Sequence, residues 1–314
     1  MDVTLHVGAH RTGTTTLQRF LEANRSHLAA QGIGVWGPRR TRDGLFAGLV
    51  KAPNRITVED MKRGDRSTGL IRVELARAEL AGLRHMIVSE ENMIGSMENN
   101  VNLRRLYPHA KVRIERFAGA FGTGCSRILL TIRSYDRHWA STLGFCLKIG
   151  YNLPDATLLK ALVAQPIRWS RIVRDISTAF PEAEIIVSPF EGMVGLPEHQ
   201  LETLLGFAPA GPFSATREWH NASPDRRGLA SILSDYQGQD VPQGEHALRT
   251  GIGPWQPFTE DQRALMRAAY SQDLAWLRAG ADGLATYIDS PDSIPGALGQ
   301  NRGRNDREEH RRLG

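Results

Sequence analysis

Leu5-His6-Val7-Gly8-Ala9-His10-Arg11-Thr12-Gly13-Thr14-Thr15-Thr16-Leu17-Gln18 is the stretch on which the reading of this chain turns. Val3 to Val7 is a short run rich in β-branched residues, Gly8 to Gly13 is a glycine-bounded turn, and Thr15 to Ala30 repeats apolar residues at helical spacing. The pattern predicts strand, loop, helix. In such a loop the backbone N–H groups point inward, and the first turn of the following helix carries partial positive charge, so the turn suits a phosphate. Arg11 adds a cation, and Thr12, Thr14, Thr15 and Thr16 add hydroxyls. A glycine-rich turn that holds no ligand is the plainer alternative.

The spacing of Gly8 and Gly13 fits half of the nucleotide-triphosphate loop pattern, but Thr14 stands where that loop needs lysine, and the cation comes before the second glycine. His10-Arg11-Thr12-Gly13-Thr14-Thr15 instead resembles the 5′-phosphosulfate loop of sulfotransferases that use 3′-phosphoadenylyl sulfate (PAPS). That family writes lysine at the position of Arg11. Arginine keeps the charge and forks across two oxygens, but its very high pKa makes it a poorer proton donor.

Further along, Met86-Ile87-Val88-Ser89 reads as a second buried strand, ending in Glu90-Glu91-Asn92. Carboxylates just beyond the carboxyl end of a parallel strand lie where α/β folds place their ligands. The resemblance implies a catalytic base here, with Glu91 matching and Glu90 next in line. The competing reading is that the pair caps a nearby helix at its positive end.

Arg127 to Ile132 is a continuous apolar run of the kind found in central parallel strands, followed by Arg133 and, from about Asp136, a helix. The resemblance implies that Arg133 and Ser141 hold the 3′-phosphate of PAPS. A forked guanidinium binds a dianionic phosphate through parallel bonds, and a hydroxyl two turns into the helix adds a neutral donor. Asp225-Arg226-Arg227-Gly228 resembles the loop that closes over the same phosphate, so Arg226, Arg227 and Gly228 are further cofactor candidates, although Ser223-Pro224 also reads as an ordinary helix start. His220 is a reserve base.

Alternating strands and helices predict an α/β fold, three-layered around a central parallel sheet, which the resemblance makes a P-loop-type sulfotransferase fold with helical additions at the C-terminus. One domain is expected over residues 1–290, with 37–68 a loop or cap and 210–290 a mostly helical extension. Arg39, Arg40 and Arg42 in the cap read as solvated, with substrate contact a minor alternative, and Arg104, Arg105, Arg113 and Arg116 in the helical stretch 101–121 are expected in water. Thr259 is expected to cap a helix from Phe258 to Ala279 that packs on the sheet, and 291–314 reads as a disordered polar tail.

The chain has 314 residues, 41% of them hydrophobic, enough for a full core, and a formal net charge of +5 carried mostly by arginine. That charge fits a solvated surface or an anionic ligand; no recognisable module accompanies it, so nucleic acid is not an expected partner. Two cysteines give no disulfide framework, and no apolar run is long enough for a signal or a membrane span, so a cytoplasmic protein is expected.

The resemblance, which covers about residues 1–210, implies transfer of a sulfuryl group from PAPS to a small-molecule or glycan acceptor, releasing PAP, by a route that requires no metal. Two rivals stay open: a nucleotide kinase or other phosphotransferase on the same fold, and a PAP-binding module without activity. The acceptor and the oligomeric state are not legible.

Overall fold

A computed structural model describes residues 1–193, 195–216, 226, 228–231 and 254–290. Arg227, His220 and the tail 291–314 lie outside the described residues.

Six strands form one parallel sheet: β1 (Asp2–His6), β2 (Ile33–Trp36), β3 (His85–Ser89), β4 (Cys125–Ile132), β5 (Glu184–Pro189) and β6 (Thr286–Tyr287), in the order β2-β3-β1-β4-β5-β6. The apolar run of β4 is explained by its place between β1 and β5, covered on both faces. Ile128, Leu130 and Ile132 point into one core and Leu129 into the other, as the period of two requires. The larger core joins the sheet to helices Val58–Leu80, Ala110–Phe121, Tyr135–Lys148 and Trp169–Ala179. The smaller joins the opposite face to helices Thr14–Ala23 and Pro197–Leu205. The architecture is therefore a three-layer α/β fold.

Several sequence expectations are corrected. The helix Val58–Leu80 starts well inside the segment read as a cap, fixed by a capping box in which Thr57 and Asp60 exchange hydrogen bonds. The helical periodicity of Leu70 to Leu83 marks only its second half; the first half buries little, with Val58 and Met61 exposed. Arg113, expected in water, is buried, its guanidinium donating to the carbonyls of Val50 and Asn92. The helix Glu260–Arg278 begins at Thr259 as expected; it meets the sheet at its edge strand β6 and packs mostly on helices Tyr135–Lys148 and Trp169–Ala179. Tyr135 ties these three helices, its hydroxyl donating to Asp273 and accepting the Trp169 N–H at 2.7 Å. The C-terminal region also adds β6, two residues too short to show a pattern, which pairs with β5 through Ile186↔Thr286 and Val187↔Tyr287.

Candidate functional site

The carboxyl ends of β3, β1 and β4 lie side by side, where the strand order reverses direction. They deliver Glu90 and Glu91, the Gly8–Gly13 loop, and Arg133 to one edge. The loop is rooted in the sheet: Ala9 N–H donates to Thr131 O at 2.8 Å and Thr131 N–H to Gly8 O at 2.6 Å. Gly8 has φ +98°, and a Cβ there would stand 2.9 Å from Glu91 Cβ, so only glycine lets the loop approach the base candidate this closely. Gly13 caps the helix Thr14–Ala23 in the left-handed conformation and makes no side-chain cap bond. Arg11 has φ +63°, a conformation that costs a non-glycine residue roughly 1–2 kcal/mol.

The two predicted motifs meet. Arg11 Nε donates to Ser141 Oγ at 2.9 Å, and Arg133 Nη1 donates to the backbone oxygen of Arg11 at 3.0 Å. Arg133 also lies over the Phe190 ring, 4.5 Å from its centroid. Burial lowers the pKa of both guanidinium groups, yet arginine's starting value keeps them charged.

Two cavities flank this junction. One, of about 920 Å³, is lined by Arg133, Arg137, Ser141 and Arg226 together with Arg263 and Arg267 of the helix Glu260–Arg278; Trp255 and Phe258 supply apolar wall, and Asp136 is its acid among the described residues. The other, of about 560 Å³, is lined by Arg11, Thr14 and Thr15 of the loop and by Gln18, Arg42, Glu91, Asn92 and Glu98. Both volumes lie in the range of small-molecule sites.

The adjacent carboxylates part company. Glu90 is 1% exposed and turned away from the cavity, accepting from Thr41 Oγ1 at 2.7 Å, from Arg42 Nε and Nη2 at 2.8 Å each, and from Asn92 N at 3.0 Å. It caps the short helical turn Glu91–Met93, so the capping alternative belongs to this residue. Glu91 faces the cavity with its two oxygens held by different elements: Gln18 Nε2 donates to Oε2 at 2.7 Å and Arg42 Nη2 to Oε1 at 2.9 Å. Burial resists its ionisation most strongly, but His10, Arg42 and the Gln18 bond together hold its carboxyl below the usual range. Burial also keeps His10 uncharged at neutral pH, which leaves Arg42 as the cation acting on Glu91 there.

The threonines divide similarly. Thr14 and Thr15 line the cavity, whereas Thr12 is buried and donates to Ala9 O at 2.6 Å, stiffening the loop. Thr16 is buried, and its backbone N–H donates to Gly13 O at 3.0 Å. Arg226 lines the Arg133 cavity, and Gly228 lies two residues on in a helical stretch. Arg227 lies outside the described residues.

Sequence reasoning missed Gln18, Arg263, Arg267 and Trp255, and it kept Arg42 only as a minor candidate for substrate contact. Gln18 had a signal, one helical turn after Thr14. Arg42 had none, because its partners lie 48 and 49 residues away in sequence. Its neighbour Arg40 pairs with Glu74 at 2.7 Å instead, and Arg39 is exposed. No helix among the described residues is long and apolar enough to cross a membrane, and both cysteines are buried free thiols. No protein-family model matches the chain, and neither a curated protein nor a solved structure matches it.

Proposed function

We propose that this protein is a PAPS-dependent sulfotransferase that transfers the sulfuryl group to a hydroxyl or amine of a small-molecule or glycan acceptor. The observation that carries the reading is the junction of motifs recognised independently: Arg11 bonded to Ser141 across 130 residues, and Arg133 bonded to Arg11 across 122. The residues fit the nucleotide. Arg133 Nε is buried without a hydrogen-bond partner among the described residues, at the wall of a cavity dominated by guanidinium groups. That environment favours a dianionic phosphate over a neutral ligand.

In this reading Arg133 and Ser141, with Arg226, hold the 3′-phosphate, and Arg11, Thr14, Thr15 and the N-terminus of the helix Thr14–Ala23 hold the 5′-phosphosulfate. PAPS, when bound, supplies the sulfuryl group and a phosphate leaving group. Glu91 takes the proton of the acceptor hydroxyl, which its ionised state at neutral pH permits. Arg11 offsets charge on the leaving side but does not donate a proton, because its guanidinium stays protonated. Glu90, locked by Arg42 and Thr41, takes no proton from the acceptor. Polar lining by Gln18, Asn92 and Glu98 supports a hydroxyl-rich acceptor.

Calorimetric titration with PAP, AMP and ATP tests the proposal. PAP is expected to bind much more tightly than either; ATP binding as tight as PAP would move the assignment to the phosphotransferases. Transfer of ³⁵S from labelled PAPS to a panel of mono- and oligosaccharides and phenols then separates an enzyme from an inactive PAP-binding module.

A further inference from the structure

We infer that Arg42 is the positioning residue of the base: a single guanidinium, anchored on Glu90, aims the Glu91 carboxylate into the cavity and keeps it ionised. The inference rests on the reading of Glu91 as the base. Arg42 grips Glu90 with both arms of its fork, through Nε and Nη2 at 2.8 Å each, and the same Nη2 reaches Glu91 Oε1 at 2.9 Å. Glu90 is 1% exposed and Arg42 half exposed, so the buried carboxylate is the fixed point and the guanidinium the arm it holds out. A bidentate arginine pair has only one good geometry, which fixes where the remaining N–H points.

The chain segment that carries Arg42 is itself held in place. Thr41 donates to Glu90 Oε2 at 2.7 Å, and Arg113 bridges the carbonyls of Val50 and Asn92, tying the far end of the segment to the residue after Glu91. On the other side, Gln18 holds Glu91 Oε2. The base is thus clamped between a charged donor from the segment after β2 and a neutral donor from the phosphate-loop helix. Each oxygen keeps lone-pair capacity for an acceptor proton.

The charged and titratable groups facing Glu91 are His10 on the loop, His6 on β1, Tyr107, Glu90 and Arg42. Burial holds both histidines neutral near pH 7 and keeps Tyr107 protonated. Removing the charge of Arg42 therefore removes both a hydrogen bond to Glu91 Oε1 and a cation that, with His10, favours the ionised carboxylate.

The test is a ¹³C NMR pH titration of the full chain labelled at glutamate Cδ, with the Glu91 signal identified by its loss in Glu91→Gln. In Arg42→Gln the Glu91 titration is expected to shift to higher pH, and in Arg42→Lys it is expected to return toward the parental value because the charge is restored. Should Arg42→Gln misfold with Glu90 left unpaired, the double variant Glu90→Gln/Arg42→Gln removes the stranded charge, and the same upward shift is expected there. Parental titration of Glu91 in a folded Arg42→Gln or double variant overturns the inference. Calorimetry with PAP on the parent is run in parallel: absence of binding would sink the sulfotransferase reading, while the titration still decides the role of Arg42.

Discussion

The two cavities at the carboxyl edge of the sheet share one wall, the Arg11–Ser141 bond, yet they differ in charge balance. Around Glu91 the charges are nearly balanced: Arg11, Arg19, Arg39 and Arg42 line the cavity with Glu22, Glu91 and Glu98. Around Arg133 they are not, since five arginines line the cavity with Asp136 as the acid among the described residues. A cavity that mixes arginines with a carboxylate can hold an anion beside a group that takes a proton, whereas surplus positive charge suits an anion alone. The difference teaches that one sheet edge can hold a proton-accepting side and an anion-holding side a few residues apart.

Buried histidines report the same contrast. His6, bonded to Ser89 at 2.8 Å under the Glu91 side, is lowered to about 4 by burial, with Glu91 pulling the other way. His138, beside Arg133, is lowered to about 3, first by burial and then by Arg133, His10 and Arg11. Both ring nitrogens of His138 are buried without a hydrogen-bond partner among the described residues.

The comparison breaks most sharply at the base. Glu91→Gln is expected to slow sulfuryl transfer by ~10²–10⁴-fold while leaving PAP affinity near the parental value. Glu90→Gln is expected to spare the rate and to lower stability by roughly 1–3 kcal/mol, because Arg42, Thr41 and Asn92 lose a charged acceptor. Transfer kinetics and chemical denaturation of both variants check the pair; a larger rate loss in Glu90→Gln would exchange the two roles.

On the anion side, Arg133→Ala is expected to weaken PAP by roughly ten- to a hundredfold and AMP far less, as loss of a charged hydrogen bond worth ~1.5–3 kcal/mol predicts. Calorimetry at fixed salt reads this directly. An equal loss for both nucleotides would move Arg133 away from the 3′-phosphate.

The histidines sharpen the contrast through pH. A histidine whose folded pKa is depressed contributes stability fully above its unfolded value of about 6.5 and loses it as pH falls toward the folded value. Acid destabilisation from His138 is therefore expected between pH 6.5 and 3, on the order of 2 kcal/mol by pH 5, and from His6 between pH 6.5 and 4. His138→Phe, set among Tyr107, Trp139 and Trp169, is expected to narrow the gap in Tm between pH 7 and pH 5. An unchanged gap would show that His138 does not titrate on unfolding.

Ser141→Ala carries the smallest expected effect. Loss of a neutral hydroxyl is worth ~0.5–1.5 kcal/mol, or roughly two- to tenfold in PAP affinity. A loss as large as that of Arg133→Ala would mean that Ser141 acts chiefly by placing Arg11.

Whatever repeats along the chain was legible in the sequence. The β1-loop-helix unit, the apolar runs of β3, β4 and β5, and the arginine at the end of β4 follow from periodicity, glycine placement and burial on both faces, all of them local properties. The helix Val58–Leu80 was legible from Leu70 on, but its first half was not because exposed Val58 and Met61 erase the apolar stripe, and β6 was not because two residues carry no period. At the site, the identities of Arg11, Arg133, Ser141 and Glu91 could be proposed from the letters, but which of Glu90 and Glu91 enters the cavity could not. That choice depends on Thr41 and Arg42 arriving from a distant segment to bury one carboxylate and hold the other, a long-range pairing of charge that leaves no trace in local spacing and exists only once the chain has folded.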